Sequence, residues 1–269
     1  MRKSVLILFL LFGLEVLTLS QEVELPEVPH AISDPQQRIR YMSENFWQVN
    51  DIGDTLLMSQ PTAMMDYLYL LSKLPQEEAE VIASRFVMAS ISYQETLSSV
   101  IYWLETFLHD ALSPFYNDVL FVYLMNQILS SEIDELLKMR PKYLHDIASL
   151  NLPGQVAKDI MVQSSDGHGD MLSAINGEYI VVCFLQNECA ACKAAEEYLT
   201  DSDVVKVLKK SGRVVFVKVD CADDALIRGE SYELQYFPSF YILDSKHNVL
   251  QKEVSLDRLH TFLTDLLNR

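Results

Sequence analysis

Two cysteines, Cys189 and Cys192, have the side-chain type and the spacing that redox chemistry requires. They follow an apolar run from Tyr179 to Leu185, whose β-branched and aromatic residues on both alternating faces predict a strand buried on two sides. Strong helix formers come next, so Cys189 should begin a helix. Cysteines one helical turn apart can form a disulfide, and a helix N-terminus lowers the pKa of a thiol placed there. The pattern therefore predicts a nucleophilic thiol with a partner one turn away.

A structural zinc site is the first alternative, because Cys-x-x-Cys is also a metal-ligand spacing. Zinc needs further ligands, and the remaining cysteines, Cys183 and Cys221, are isolated in the sequence. No histidine lies near either of them at ligand spacing, and His30, His109 and His145 are scattered without i, i+4 pairing. We interpret these histidines as surface residues or as hydrogen-bonded core residues. The sequence favours a redox pair, and we expect no metal or other cofactor.

The order of elements after the cysteine pair resembles the thioredoxin fold. A strand pattern over residues 213–220 is followed by the segment 236–244, which contains Pro238. Members of that family place a cis-proline opposite the Cys-x-x-Cys, and Pro238 is at the matching position. The resemblance extends from residue 152 to the end of the chain, and it implies an α/β domain with a central mixed sheet flanked by helices.

The same resemblance implies roles for individual residues. Cys189 would attack a substrate disulfide to form a mixed disulfide, and Cys192 would resolve it. Pro238 lacks an N–H and, in cis, would leave the backbone of Phe237 free to pair with an extended substrate. The Phe237 side chain would border the cysteines and shape what docks. Glu188, the neighbour of Cys189, is expected at the substrate-binding surface.

Two positions depart from the family pattern. Thioredoxins commonly have tryptophan before the first cysteine, whereas this chain has Glu188, whose negative charge would raise the pKa of the Cys189 thiol. We interpret Glu188 as solvent-exposed, with a role as proton acceptor for Cys192 as the alternative. Many thioredoxins have a buried acid where this chain has Cys183, a neutral core residue, so we expect the usual internal proton relay to be absent. Cys221, at a strand end, is interpreted as a spectator rather than a third redox partner.

The first half of the chain has apolar residues at helical spacing and lacks strand alternation. Asp34 followed by Pro35 predicts the start of the first helix, and Ile91–Leu112 predicts one long helix. The methionines and aromatic residues here indicate a bundle core, with a ligand pocket or peptide groove as the alternative. Ser113–Asp118 and Met139–Tyr143 resemble a helical domain of unknown function that precedes thioredoxin-like domains in envelope proteins of Bacteroides-type bacteria. That resemblance implies architecture and location, but no activity.

The amino terminus predicts export. A basic start, an apolar run over residues 4–19 and small residues before Gln21 are typical of a secretory signal peptide. A membrane anchor is the alternative, but the run is short and Glu15 interrupts it. The formal net charge of −17 argues against nucleic acid and anionic membrane surfaces as partners. Because Asn-x-Ser/Thr sequons and an endoplasmic-reticulum retention signal are absent, we expect the periplasm or cell envelope.

The sequence thus predicts a two-domain protein, an all-α helical bundle followed by an α/β thioredoxin-like fold. Gly154 and Ala157 look like the start of the first strand in the secreted (ResA/TlpA-type) thioredoxin-like proteins. The predicted segments are a signal peptide over 1–20, an extended leader over 21–33, the helical domain over 34–150 and the thioredoxin-like domain over 151–269.

The predicted function is thiol–disulfide exchange on other envelope proteins, as reductant or isomerase. Its partners would be protein thiols or disulfides and an unidentified envelope redox protein. The alternative is a non-catalytic interaction module, in which the disulfide is structural and the helical domain binds the partner. Neither the substrate nor the direction of electron flow follows from the sequence.

Overall fold

The structure is a computed structural model that describes residues 23–164, 167–220 and 231–269. The predicted signal peptide and Cys221 lie outside these residues. Within them, no helix is both long enough and apolar enough to cross a membrane.

The first half is helical, as the sequence predicted. Asp34 caps the first helix by accepting the N–H of Gln37 at 2.8 Å, and Pro35 takes the first helical position, where an N–H would have no helical partner. The α-helices described in this half are α1 Pro35–Val49, α2 Thr55–Met58, α3 Pro61–Leu71, α4 Gln76–Ser90, α5 Gln94–Leu104, α6 Asp118–Leu129 and α7 Glu135–Ala148.

The single long helix predicted over Ile91–Leu112 is wrong at both ends and in type. The helix α5 ends at Leu104 and continues as a π-helical segment, Glu105–His109, in which the N–H of Asp110 reaches back to the carbonyl of Glu105 at 3.1 Å. A π-helical turn holds more residues than an α-helical turn, so it rotates the side chains that follow. His109 is thereby buried, which the 3.6-residue periodicity of the sequence did not indicate.

The helix α6 is central to the bundle core. It is apolar almost all round, which is the pattern of a helix buried on most of its surface, and it packs against α4 and α7. Phe121, Leu124, Met125 and Ile128 are fully buried in it. The interpretation as a bundle core is confirmed for part of the methionines and aromatic residues of this half. The buried ones are Phe46, Met58, Met64, Tyr67, Phe86, Phe121 and Met125, whereas Met65, Tyr69, Met88, Tyr102, Met139 and Tyr143 are exposed.

The second half contains a mixed sheet with strand order β2-β1-β4-β3-β5-β6. The strand β3 is parallel to β4 and antiparallel to β5, so it is hydrogen-bonded on both sides. The strands are β1 Met161–Gln163, β2 Gly169–Met171, β3 Tyr179–Leu185, β4 Val214–Asp220, β5 Ser239–Asp244 and β6 Val249–Val254.

Alternate residues of β3 face two separate cores. Val181, Cys183 and Leu185 pack toward α8 Ala190–Asp201, α9 Asp203–Lys210 and α10 Leu256–Leu267, whereas Ile180, Val182 and Phe184 pack with Tyr232 and Tyr241 on the opposite face. The two-sided burial predicted for this strand is confirmed, and it anchors the point at which the chain turns into α8.

We predict that Leu124→Ala destabilises the protein by about 2–5 kcal/mol, because it opens a cavity in the bundle core. The matched control is Leu136→Ala on α7, since Leu136 is 74 % exposed. The control should change the free energy of unfolding by less than about 0.5 kcal/mol. Urea unfolding followed by circular dichroism measures both values, and equal losses would contradict this description of the core.

Candidate active site

The cysteine pair lies where the chain leaves β3 and enters α8. Cys189 is the N-cap residue of α8, and its Sγ accepts the N–H of Cys192 at 3.1 Å. The two sulfurs are joined as a disulfide, with Cα atoms 5.2 Å apart. The predicted helix start at Cys189 is therefore confirmed. An N–H aimed at the sulfur also favours negative charge there once the disulfide is reduced.

The two sulfurs differ in access to solvent. Cys192 is 3 % exposed and packs with Ala195 and Leu199 between α8 and the sheet. Cys189 is half-buried, and both cysteines line an open cavity of about 690 Å³. An incoming sulfur can therefore reach Cys189 without displacing core side chains, whereas Cys192 exposes very little of its surface to the same cavity.

The peptide bond between Phe237 and Pro238 is cis and lies beside the disulfide. Ser239, at the start of β5, pairs with Phe184 near the end of β3, so both strands meet at the sheet edge that carries the cysteines. The carbonyl oxygen of Phe237 lies 3.9 Å from the Sγ of Cys189. Antiparallel pairing thus brings the predicted proline to the predicted cysteine pair.

Glu188 is exposed and lines the cavity next to Cys189. Its φ of 59° is in the left-handed region, which costs a residue with a side chain about 1–2 kcal/mol relative to the right-handed one. This backbone conformation turns the chain from the end of β3 into α8. The glutamate side chain is consequently presented to solvent beside Cys189 rather than packed into the protein.

The rest of the cavity has a mixed polar lining that the sequence did not indicate. Lys218 of β4 and Glu196 of α8 both line it, and they form an ion pair at 2.7 Å. Lys193 adds a positive charge at the start of α8, opposite in sign to Glu188. The opening of the cavity beside the disulfide therefore carries both positive and negative side chains.

Cys183 is a fully buried thiol on β3, in register with Lys218 on β4. Burial raises the pKa of Cys183 to about 12, although the nearby charges of Lys218 and Lys209 act in the opposite direction. The thiol is therefore neutral at physiological pH and cannot accept a proton from a reacting cysteine. The predicted spectator Cys221 lies outside the described residues.

A second cluster, which the sequence analysis missed, lies where the two halves of the chain meet. His109 places Nδ1 at 2.7 Å from Asp118 and Nε2 at 3.0 Å from Glu233. The ammonium of Lys252 lies 2.7 Å from Asp118 and 3.1 Å from Glu233, and it donates to the carbonyl of Ala148 at 2.9 Å. We call His109, Asp118, Glu233 and Lys252, all buried, the junction cluster.

Ionisation within the junction cluster follows from these contacts. Burial alone would lower the pKa of His109, but hydrogen bonds to Asp118 and Glu233 outweigh it and raise the pKa to about 9. Burial alone would raise the pKa of Glu233, but the hydrogen bond from His109 and the charge of Lys252 lower it to about 2. At neutral pH the imidazolium of His109 and the ammonium of Lys252 are therefore in contact with the carboxylate of Glu233.

Three members of the junction cluster have ligand atoms close enough to share a metal ion, because those of His109, Asp118 and Glu233 lie within 4.8 Å of one another. Both ring nitrogens of His109, however, already face a carboxylate oxygen, and Lys252 bridges the same two carboxylates. The ammonium and the imidazolium supply the positive charge that the carboxylates need. The arrangement is thus that of an ion network rather than a metal centre.

The sequence did carry a weak signal for this cluster. Asp118 opens a mostly apolar helix, and Lys252 and Glu253 lie next to Val254 in the strand β6. Charged residues at such positions need buried partners. The contacts between the halves, His109 with Glu233 and Asp118 with Lys252, join residues more than a hundred positions apart in the chain, so spacing alone could not pair them.

The helical bundle, the mixed sheet and the position of the cysteine pair together define a thioredoxin-like fold preceded by a helical N-terminal region. A crystal structure of a thioredoxin-like protein from Bacteroides caccae is similar over both halves. Its TM-score is 0.80 at 18 % sequence identity, and the match covers 90 % of this chain and 98 % of that chain. The resemblance to the thioredoxin fold is confirmed by this shared architecture.

The family profile described as "Domain of unknown function (DUF5106)" matches residues 13–151. The chain therefore belongs to that family, and the predicted resemblance of its helical half to a domain of unknown function is confirmed. No protein of curated function has a sequence similar to this chain.

Shorter structures each match less than half of this chain. One is the thioredoxin domain of a thiol-disulfide oxidoreductase from Bacteroides vulgatus, at 20 % identity and a TM-score of 0.36, covering 43 % of this chain and 98 % of that chain. Another is a thiol:disulfide interchange protein from Bacteroides sp., at 20 % identity and a TM-score of 0.34, covering 44 % of this chain and 91 % of that chain.

We predict that the free energy of unfolding falls less steeply at alkaline pH in His109→Gln than in the wild type. Because the pKa of His109 is about 9 in the folded chain and about 6.5 unfolded, its contribution is complete below pH 6.5 and is lost as the pH rises through 9. That loss is up to about 3 kcal/mol. Urea unfolding at a series of pH values measures it.

The matched control is His145→Gln, which replaces the partly exposed histidine of α7 and should keep the wild-type pH dependence. Burial also raises the pKa of Glu253, to about 8, against the opposing hydrogen bond from the N–H of Gln235, and this contribution is common to all three proteins. An alkaline slope in His109→Gln as steep as in the wild type would show that the network does not hold the imidazolium.

Proposed function

We propose that this protein exchanges disulfides with protein thiols through Cys189 and Cys192. The observation that carries the proposal is the unequal access of the two sulfurs at the start of α8. Cys189 faces the cavity and accepts an N–H, while Cys192 lies beneath it in the core. A structural disulfide does not need one sulfur presented to solvent at a helix N-terminus.

The proposed exchange begins from the reduced protein and takes place in two steps. The Cys189 thiolate attacks a substrate disulfide, so a Cys189–substrate bond forms and one substrate sulfur leaves as a thiolate, which takes a proton from water. Cys192 then loses its proton to water in the cavity and attacks the Sγ of Cys189. The second substrate sulfur leaves, and two electrons have passed from the pair to the substrate. A dithiol protein of the same compartment would restore the reduced pair.

Phe237 and Pro238 are proposed to border the docking surface, and Glu188 to contact the substrate. Support comes from the 3.9 Å distance between the Phe237 carbonyl and Cys189, and from the exposure of Glu188 in the cavity. The mixed charge of the cavity suits a polypeptide substrate rather than a small ion of one sign. Because Cys183 stays neutral, solvent in the cavity would carry the protons.

The proposed location is the periplasm or cell envelope, with residues 1–20 as a signal peptide, 21–33 as an extended leader, 34–150 as the helical domain and 151–269 as the redox domain. The basic and apolar amino terminus supports this location. Disulfides persist and require exchange in that compartment. The proposed substrates are therefore other proteins of the envelope.

We predict that reduced Cys192→Ser traps a mixed disulfide with a disulfide-bonded peptide, because attack by Cys189 survives and resolution does not. Cys189→Ser should trap nothing. Mass spectrometry under non-reducing conditions measures the adduct. The control is Cys183→Ala, which removes the buried cysteine of β3 and should turn over without accumulating an adduct. If no adduct forms in Cys192→Ser, the disulfide is structural and the interaction-module alternative replaces this proposal.

We predict that Glu188→Gln speeds alkylation of reduced Cys189 by iodoacetamide near neutral pH about two- to threefold, because removing a nearby negative charge lowers the pKa of the Cys189 thiol. Glutamine keeps the same backbone preferences, so the positive φ at this position is equally strained in both proteins. Glu197→Gln removes the same charge two turns along α8 and should alter the rate far less. Equal rates in all three proteins would exclude an electrostatic role for Glu188.

A further inference from the structure

The segment that contains Phe237 and Pro238 is held at both ends by one buried side chain. Glu253 of β6 is fully buried. Its Oε2 accepts the N–H of Gln235 at 2.9 Å, and its Oε1 accepts the hydroxyl of Ser239 at 3.0 Å. A single carboxyl group thus ties together the residues on either side of the peptide that faces Cys189.

The side chain of Gln235 leaves this segment and enters the helical half. Its Oε1 accepts the N–H of Ala111 at 3.0 Å, and its Nε2 donates to the carbonyl of His109 at 2.8 Å. One amide therefore pairs with a backbone donor and a backbone acceptor just after the π-helical segment. Two hydrogen bonds from one amide fix the orientation of the Gln235 side chain as well as its distance from the helical half.

The contact is backed by charged groups on both sides. The carbonyl of His109 accepts the hydrogen bond from Gln235, and the ring nitrogens of His109 contact Asp118 and Glu233 of the junction cluster. A further bond crosses the halves where the guanidinium of Arg258 on α10 donates to the carbonyl of Ser113 at 3.0 Å. The backbone that Gln235 meets is consequently held on the helical side through Asp118, while Glu233, two residues before Gln235, ties the same histidine to the segment.

We propose that the helical domain positions the Phe237–Pro238 segment beside Cys189, and that Gln235 is the positioning residue through which it acts. This gives the domain of unknown function a role in the redox site, namely to hold the wall against which a substrate polypeptide docks. Phe237 is only two positions after Gln235 in the chain, and its carbonyl lies 3.9 Å from the Cys189 sulfur. The inference rests on the proposed function for its substrate, but not for its geometry.

The test is Gln235→Ala in the full-length protein, with Gln235→Asn as a second variant that keeps the amide and shortens the side chain by one methylene. Gln235 retains exposed surface, so both variants should fold, as circular dichroism can establish. The matched control is Gln251→Ala, an exposed glutamine of β6 two residues from Glu253.

We expect both Gln235 variants to raise the KM for a disulfide-bonded peptide at least fivefold, because the docking wall is no longer held. The rate of alkylation of Cys189 by iodoacetamide, which needs no docked peptide, should stay within twofold of the wild type. Gln251→Ala should change neither quantity. An unchanged KM in folded Gln235→Ala and Gln235→Asn would overturn the inference.

A second readout separates this inference from the proposed function. If the wild type reduces no peptide disulfide, the proposed function fails, and the segment is examined through the equilibrium of the cysteine pair with glutathione. Release of the Phe237 carbonyl from beside Cys189 should shift that equilibrium constant at least threefold in Gln235→Ala and not in Gln251→Ala. The absence of such a shift would overturn the inference on its own.

Discussion

The pairing of β3 with strands on both sides is the constraint on which the site depends. β3 is parallel to β4 and antiparallel to β5, and its side chains fill a core on each face. A strand bonded and buried in this way has one available register, since a slip by one residue would exchange the two cores. The end of β3 therefore places Cys189 at one position on the sheet edge. The antiparallel strand β5 places Pro238 at the same edge.

Burial of four charged side chains at the junction has a different consequence. Moving charges out of water costs free energy. The attraction between the charges of the junction cluster offsets about as much free energy as desolvation costs. Removing one member of such a group leaves its partners uncompensated, at a cost of about 3–5 kcal/mol. The cluster therefore adds little net stability but makes any other packing of the two halves unfavourable. It specifies how the helical domain sits against β6 and the segment before Pro238.

The environment of the disulfide explains how exchange could proceed without an internal acid. Burial raises the pKa of the Cys183 thiol to about 12, so this residue does not act as an internal acid or base at neutral pH. The N–H of Cys192, pointing at the Cys189 sulfur, and the helix N-terminus remain as the groups that favour a thiolate. The acidic residues closest to the pair along the chain, Glu188 and Glu196, lie on the exposed side of the cavity. In the proposed exchange, proton transfer would therefore take place through solvent.

The local sequence was sufficient to predict a structural feature wherever the residues that determine it are neighbours in the chain. The Asp34–Pro35 helix start, the two-sided burial of Tyr179–Leu185 and the helix beginning at Cys189 all follow from neighbouring residues. The thioredoxin-like order of elements in the second half was inferred from the family resemblance carried by the cysteine pair and Pro238. The π-helical segment was missed because one extra residue per turn leaves no separate periodic signal over five residues.

Only the tertiary structure decided what happens where the halves meet. Gln235 reaches Ala111 across 124 residues of sequence, and His109 finds Glu233 across a similar distance. The positive φ of Glu188 arises from the turn between β3 and α8, although glutamate has no preference for it. Hydrogen-bonded pairs of polar side chains have no periodicity, and each residue alone is compatible with an exposed surface. Their burial depends on how two separately predictable units pack together, and that packing is a property of the whole chain.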